Sequence, residues 1–452
     1  MLPVLGGISG SNSAISIISS NELRAKYGVD SFLIIAAPGA PHNSEFDMKF
    51  VAHRLDSVEP SPTLAITARA KELRAQGRDV IGFGAGEPDF DTPEHIKQAA
   101  IRALAAGQTK YTPVGGTPGL KKAIIQKFET DNGLSFEPGE TIVSVGGKQV
   151  LYNLFLATLN PGDEVIIPAP YWVSYADIVR LAEGTPVIVS AGFDQGYIPS
   201  SEQIRAALTP KTRAILVNSP SNPTGAVYPD QELCDLAEIL KERSDILLVS
   251  DDIYEHILFD DRKFLNVPMI VPELRDQWFI VNGVSKAYSM TGWRIGYGAG
   301  PKYIIKNMET IQGQSTSGAT SIAQAAAQAA LTESQDCVSE MRAAFQQRRE
   351  LVFRMLQSIP GVRTFAPGGA FYIFPDLTEI YAKPKFQAIL KEKEDTSASR
   401  VFCAHLLDHY EVAAVPGIAF GDDAGIRISY ALSEEHIRKG IERLGNMIHD
   451  LD

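Results

Sequence analysis

The stretch AILVNSPSNPTGAVYPDQELCDLAEILKERSDILLVSDD, residues 214–252, decides how the chain is read. It opens on an apolar run at 214–217 and passes through a turn rich in proline and asparagine. A helical pattern follows at 230–243, and a second apolar run closes it at 246–249. Strand, helix and strand in that order are the repeating unit of an α/β layer structure, in which helices cover a sheet. The alternation extends outward from about Asp79, with further strand-like runs at 141–145, 164–167 and 279–281. Thr92-Pro93-Glu94 reads as a helix start: an N-cap, a proline at the first helical position and an early acid. Behind it Ile96, Ala99, Ala100, Ala103 and Leu104 recur at helical spacing. The predicted class is therefore α/β, with a mostly parallel central sheet flanked by helices.

Beyond about Glu340 the texture changes to a long charged helix, then Gly368-Gly369-Ala370-Phe371-Tyr372 and a strand-like 427–430. This predicts a smaller C-terminal α/β domain over 341–452, joined by an N-terminal segment at 48–95, with a large domain at 96–340. The charged run 391–395 reads as a solvated loop or helix end. Residues 1–47 carry linker chemistry such as Ala37-Pro38-Gly39-Ala40-Pro41. They read as a vector-derived or upstream extension, with a targeting or regulatory arm as the alternative.

The chain has 452 residues with 42 basic and 54 acidic side chains, a net charge of −12, which speaks against a general nucleic-acid or anionic-membrane binder. At 44% hydrophobic and 21% charged it has the balance of a folded protein rather than a disordered one. No uninterrupted apolar stretch reaches the ~18–20 residues that span a bilayer. The cysteines Cys234, Cys337 and Cys403 are scattered without metal-type spacing, so no metal is expected. They suit buried packing positions in a reducing compartment, the cytoplasm.

Chemistry-bearing residues follow the strand-like runs. Val145-Gly146-Gly147-Lys148 stands at a strand-to-helix turn, where backbone N–H groups beside a positive helix end suit a phosphate; a plain tight turn explains it equally. Asn218-Ser219-Pro220-Ser221-Asn222-Pro223-Thr224-Gly225 lies where ligands gather in open α/β sheets, and is otherwise a proline-rich turn. Asp251 and Asp252 end the next run; one of the pair caps a helix or faces water in the bland reading, Asp252 more readily than Asp251. Lys286 ends a third run. A lysine there is ordinarily a solvated charge, whereas a desolvated one is left as an amine suited to imine chemistry. Arg294, eight residues later, could reach the same phosphate as the Gly147 turn. Arg427 sits in an alternating strand pattern, either in a structural ion pair or as a planar fork for a substrate carboxylate.

From about Phe50 onward the chain resembles the fold type I, pyridoxal-phosphate-dependent aminotransferases of class I. The resemblance rests on Ala85-Gly86-Glu87-Pro88-Asp89-Phe90, Tyr111-Thr112-Pro113, Pro170-Tyr171-Trp172, Asn222-Pro223-Thr224-Gly225, Asp251 with Tyr254, Lys286 with Arg294, and Arg427. It is nearest to the bacterial-type aspartate aminotransferases, some of which also transaminate prephenate. The resemblance implies pyridoxal 5′-phosphate as cofactor, amino acids and 2-oxo acids as substrates, and a homodimer with shared active sites. It implies a ping-pong exchange of L-aspartate and 2-oxoglutarate for oxaloacetate and L-glutamate. In that scheme Lys286 forms the Schiff base and shuttles a proton, and Asp251 keeps the pyridine nitrogen protonated. Tyr254 and Asn222 hydrogen-bond the ring hydroxyl oxygen, and Trp172 stacks on the ring. Gly147, Lys148 (through its backbone N–H) and Arg294 bind the phosphate, with Tyr111 reaching in from the neighbouring subunit. Gly86, Trp172, Asn222 and Arg427 surround the amino acid, Arg427 holding its α-carboxylate. A non-catalytic sensor of the cofactor would lack the lysine or the acid, and both are present.

Two positions depart from the family pattern. Gly283 stands where a serine often supplies a phosphate contact, which implies a weaker grip on the cofactor. Glu59 stands before Pro60-Ser61 where the prephenate-active branch carries lysine, and its charge would repel a dicarboxylate. The residue gripping the distal carboxylate of aspartate is not identified by the motifs.

Overall fold

The computed structural model describes residues 51–452 apart from Glu59, Ser61 and Glu394; the expectations for residues 1–47 and for Glu59 lie outside the described residues. The apolar runs become strands: β1 (Ile81–Gly82), β2 (Thr141–Ser144), β3 (Glu164–Ala169), β4 (Thr185–Ser190), β5 (Thr212–Asn218), β6 (Leu247–Asp251), β7 (Trp278–Gly283), β8 (Gly296–Ala299), β9 (Tyr372–Ile373), β10 (Val412–Ala413), β11 (Val415–Pro416) and β12 (Ile426–Ser429). Seven of them form one sheet in the order β2-β8-β7-β6-β5-β3-β4. Pairing is parallel from β4 through β7, and β8 runs antiparallel to both β7 and β2. The sheet is thus mostly parallel and flanked by helices, as the sequence predicts.

The central strands read as continuous apolar runs because both faces are covered. Along β5, Ile215 and Val217 enter one core with Ile124, Leu240 and Ile280. Ala214 and Leu216 enter the other with Leu154, Phe155, Val249 and Val281. Successive side chains of a strand point to opposite faces, so one short run serves two helix layers. A third core gathers Ile81, Phe83, Tyr254, Ile257 and Phe259 with residues from Met341 onward, among them Phe345, Phe371, Phe402, Ile428 and Leu444. There β12 lies between β11 and β9, antiparallel to both, and β1 pairs parallel with β10. The closing helix Glu434–Asp450 is capped by Ser433, whose side chain accepts from the His436 N–H, and it buries Ile437, Ile441, Leu444 and Met447. Each such side chain contributes about 1.5–3 kcal/mol by leaving water.

Several expectations change. The helix Glu94–Ala105 has no side-chain cap. The Thr92 hydroxyl instead donates to the Ser289 carbonyl at 2.6 Å and accepts from Trp293 Nε1 at 2.9 Å, so it ties two loops together. Ile96, Ala99, Ala100 and Ala103 are buried, but Leu104 faces outward. Of the cysteines only Cys403 is buried; Cys337 is partly buried and Cys234 is exposed, on the outer side of the helix Asp230–Glu242, and all three are free.

Candidate active site

The parallel strands deliver their carboxyl ends to one edge of the sheet, and the candidate residues stand there. β6 ends on Asp251 and β5 on Asn218, and β7 ends on Gly283, three residues before Lys286. The helix Gly147–Thr158 starts three residues past β2. A cavity of about 380 Å³ opens over this edge. Its walls include Gly147, Lys148, Trp172, Asn222 and Asp251 from the strand ends and the turns that follow them. Tyr254, Lys286, Arg294, Gly86 and Arg427 complete it, so the structure brings together every candidate residue but one. Tyr111 does not line the cavity and is 98% exposed.

Glycine is required where backbones meet behind the turn. Gly146 has φ 83°, in the left-handed region. A side chain on Gly296 would run into the backbone of Gly146 and Gly147. At Gly283 a Cβ would stand 3.1 Å from both the Ile295 carbonyl oxygen and the Gly296 Cα, a tight fit for any side chain. The Arg294 guanidinium is aimed beside this turn by bonds to the Thr291 carbonyl at 2.8 Å and the Val145 carbonyl at 3.5 Å. N–H groups at a helix start together with a guanidinium make a seat for phosphate.

Arg427 is buried and held in a fixed plane. Its Nη1 donates to Asn222 Oδ1 at 3.0 Å and its Nη2 to the Gly84 carbonyl at 2.8 Å. The guanidinium carbon lies 4.7 Å from the ring centre of Tyr372 and 5.0 Å from that of Phe420. Among the described residues its Nε has no hydrogen-bond partner. Among the described residues no carboxylate pairs with it.

Comparison with known proteins meets this geometry. Residues 78–444 match the family model described as aminotransferase class I and II. The chain belongs to the class I and II aminotransferases. An aspartate/prephenate aminotransferase of Nitrosomonas europaea is 50% identical over 398 residues, 88% of this chain and 99% of that one. An aspartate aminotransferase of a Bacillus species is 48% identical over 400 residues, again 88% and 99%. Among solved structures, the Rhizobium meliloti aspartate aminotransferase superposes with a TM-score of 0.82 at 45% identity, covering 88% of this chain and 98% of its own. A Thermus thermophilus aspartate aminotransferase solved with maleate gives 0.80 at 45%, covering 88% and 99%.

In this aminotransferase the electrostatics of the cavity divide its groups by task. The Lys286 amine donates to the Gly86 carbonyl at 2.6 Å. Burial lowers its pKa to about 8, helped by Arg427 and Arg294 and opposed by Glu87 and Asp251. Burial also pushes the Asp251 carboxyl up to about 6, against a hydrogen bond from Tyr175 and the nearby Lys286. Asp252 neither caps a helix nor faces water. It is buried behind the site, accepting from Ser250 Oγ and Asn266 Nδ2, both at 2.6 Å, and burial pushes it up to about 7.

Four side chains act beyond the roles that the sequence assigns. Tyr175 donates its hydroxyl to Asp251 Oδ2 at 2.6 Å. Asn218 donates to the Asp251 carbonyl at 2.8 Å and accepts from the Asn222 N–H at 2.9 Å, joining the ends of β5 and β6. The Tyr372 hydroxyl lies 3.0 Å from that of Tyr254. The fourth is the side chain of Lys148, where only the backbone was expected to act. Its ammonium sits 4.9 Å from the Trp172 ring centre, and burial and then Arg294 lower its pKa. Helical spacing explains Tyr175 without chemistry, and lysine after Gly-Gly reads as surface; only the strand-end position of Asn218 carried a signal.

Proposed function

We propose that this enzyme exchanges the amino group of L-aspartate with 2-oxoglutarate, giving oxaloacetate and L-glutamate, with pyridoxal 5′-phosphate as cofactor. The observation that carries the reading is a pair of cations on one cavity, Arg427 and Lys148. Neither forms an ion pair with a protein carboxylate among the described residues, so the pair matches the two carboxylates of a short dicarboxylate. Maleate, with which the Thermus thermophilus relative was solved, is a ligand of that kind.

The cavity fits the cofactor on its own terms. The glycine turn with Arg294 receives an anionic group, Asp251 is a buried acid for a ring nitrogen, and Trp172 offers a flat face. Gly147, Lys148 through its backbone, and Arg294 would hold the phosphate; Asn222 and Tyr254 would meet the ring hydroxyl. Bound there, the cofactor supplies an aldehyde that captures amino groups and an electron-poor ring that accepts the electron pair left at the substrate Cα.

The chain's own residues do the rest. Arg427 grips the α-carboxylate in a plane already set by Asn222 and Gly84, so little ordering entropy is lost on binding. Lys148 receives the distal carboxylate beside Trp172. Lys286, its ammonium disfavoured by burial, takes the proton from Cα and returns it. Tyr111, nearly fully exposed here, serves the cavity of a second copy in a homodimer, which accounts for its distance from its own cavity. A smaller domain over 341–452, joined by the segment at 48–95, is supported by the third core, into which Tyr254, Ile257 and Phe259 of the large domain also pack. Free cysteines suit the cytoplasm.

Replacing Lys148 by methionine tests the substrate. The expected result is a 10- to 100-fold rise in KM for aspartate and 2-oxoglutarate, about 1.4–2.7 kcal/mol, with alanine turnover unchanged. Equal loss for alanine would remove Lys148 from the specificity argument. A second reading, prephenate as amino acceptor, is favoured by the name of the Nitrosomonas europaea relative. It is tested by offering prephenate in place of 2-oxoglutarate, with L-aspartate as donor.

A further inference from the structure

We propose that Tyr175 is the positioning residue that keeps Asp251 ionised and aimed into the cavity, so that the acid can hold a proton on the cofactor's ring nitrogen. The inference rests on the cofactor reading above and deepens it.

The Asp251 carboxylate has few donors. Its Oδ2 takes the Tyr175 hydroxyl at 2.6 Å, while its Oδ1 has only the Ile253 N–H at 3.4 Å. The neighbouring amide of Asn218 reaches the Asp251 main-chain carbonyl instead of the carboxylate. Among the described residues, therefore, one short hydrogen bond, with the long Ile253 contact and the charge of Lys286 behind it, opposes the burial that favours the neutral acid. The Tyr175 phenol is itself buried in the core with Val179 and Leu154. Burial and the adjacent carboxylate drive its own pKa upward, so it keeps its proton and remains a donor. Its ring also meets the Trp172 ring edge-on, with centroids 5.2 Å apart and planes at 80°. Trp172 precedes the helix Ser174–Leu181 that carries Tyr175, so one helix start orders both the flat wall of the cavity and the acid at its floor.

The chemical consequence is specific. A ring nitrogen stays protonated only while its partner acid is ionised, and a protonated ring is the better electron acceptor. Without the phenol the buried carboxyl shifts toward its neutral form, and the ring loses its proton. Tyr175→Phe keeps the ring and its packing, removing only the hydroxyl.

The test compares wild type, Tyr175→Phe, Asp251→Asn and the double variant. In cofactor-free protein, the infrared carbonyl band of protonated Asp251 is identified by its loss in Asp251→Asn and followed with pH. Its midpoint is expected to rise by about one unit in Tyr175→Phe. With pyridoxal 5′-phosphate labelled at the ring nitrogen with ¹⁵N, the resonance of Tyr175→Phe should move part-way toward that of Asp251→Asn. The dissociation constant of the cofactor should rise about tenfold, and kcat should fall about tenfold at a nearly unchanged KM for aspartate. In the Asp251→Asn background, Tyr175→Phe should add nothing. An unchanged infrared midpoint would overturn the proposal, as would a wild-type ¹⁵N shift or additive effects in the double variant. A wild-type protein that fails to bind the cofactor would overturn the function reading instead, and the infrared midpoint would still decide the role of Tyr175 toward Asp251.

Discussion

Replacing Arg427 by lysine is the sharpest perturbation of substrate binding, because it keeps the positive charge and removes the fork. Arginine spends two of its donors on Asn222 Oδ1 and the Gly84 carbonyl, and these bonds set the plane in which the remaining donors meet a carboxylate. A lysine ammonium cannot satisfy both anchors and also make a bidentate contact. At least one charge-assisted hydrogen bond to substrate is lost, about 1.5–3 kcal/mol, or about 10- to 150-fold in kcat/KM. Alanine would be a poorer choice: it would leave the Gly84 carbonyl and Asn222 Oδ1 without a donor and open a cavity between Tyr372 and Phe420. The assay is initial rates with aspartate and with 2-oxoglutarate varied separately. Both kcat/KM values should fall together, since both substrates carry the carboxylate that Arg427 receives, while cofactor affinity stays within about threefold. An unchanged kcat/KM for either substrate would refute the assignment. A matching loss of cofactor affinity would show that the arginine holds the site together rather than the substrate.

Lys286→Ala should abolish turnover, and borohydride should no longer fix pyridoxal 5′-phosphate on the protein; retained fixation would place the reactive amine elsewhere. The depressed pKa of Lys286 makes a pH prediction. The neutral amine is the reactive form, so the rate of cofactor uptake by cofactor-free protein should rise with pH to a midpoint near 8, and a midpoint near the ordinary lysine value would contradict the burial of this amine.

The buried strands of the sheet are legible in the sequence as unbroken Val, Ile and Leu runs. Strands β4 and β8 are hidden there for opposite reasons. β4 is an edge strand with exposed positions, so its pattern is diluted. β8 is Gly296-Tyr297-Gly298-Ala299, and glycine ordinarily argues against a strand. Here it is demanded by close approach: a Cβ at Gly298 would meet the Phe279 ring at 2.7 Å, and one at Gly296 would collide with Gly147. Such a requirement lies in the neighbouring strand and at a helix start remote in sequence, and is invisible in a local window. The site was legible wherever motifs end strands, as at Asp251, Lys286 and Asn222. Tyr175 and the Lys148 ammonium were not, because each acts through a side-chain direction that only the folded helix start defines. Thr92 erred the other way: its local chemistry fits a cap, but tertiary partners at Ser289 and Trp293 claim its hydroxyl.

In the proposed reaction one cavity accepts the amino group of aspartate and stores it on the enzyme until an acceptor arrives. The most direct measurement is oxaloacetate released from the cofactor-loaded protein given L-aspartate alone, with no 2-oxo acid present. One equivalent per active site is expected, and then no more until 2-oxoglutarate is added. No oxaloacetate from aspartate, with an oxo acid released from another amino acid, would contradict the substrate; none from any amino acid would contradict the reaction.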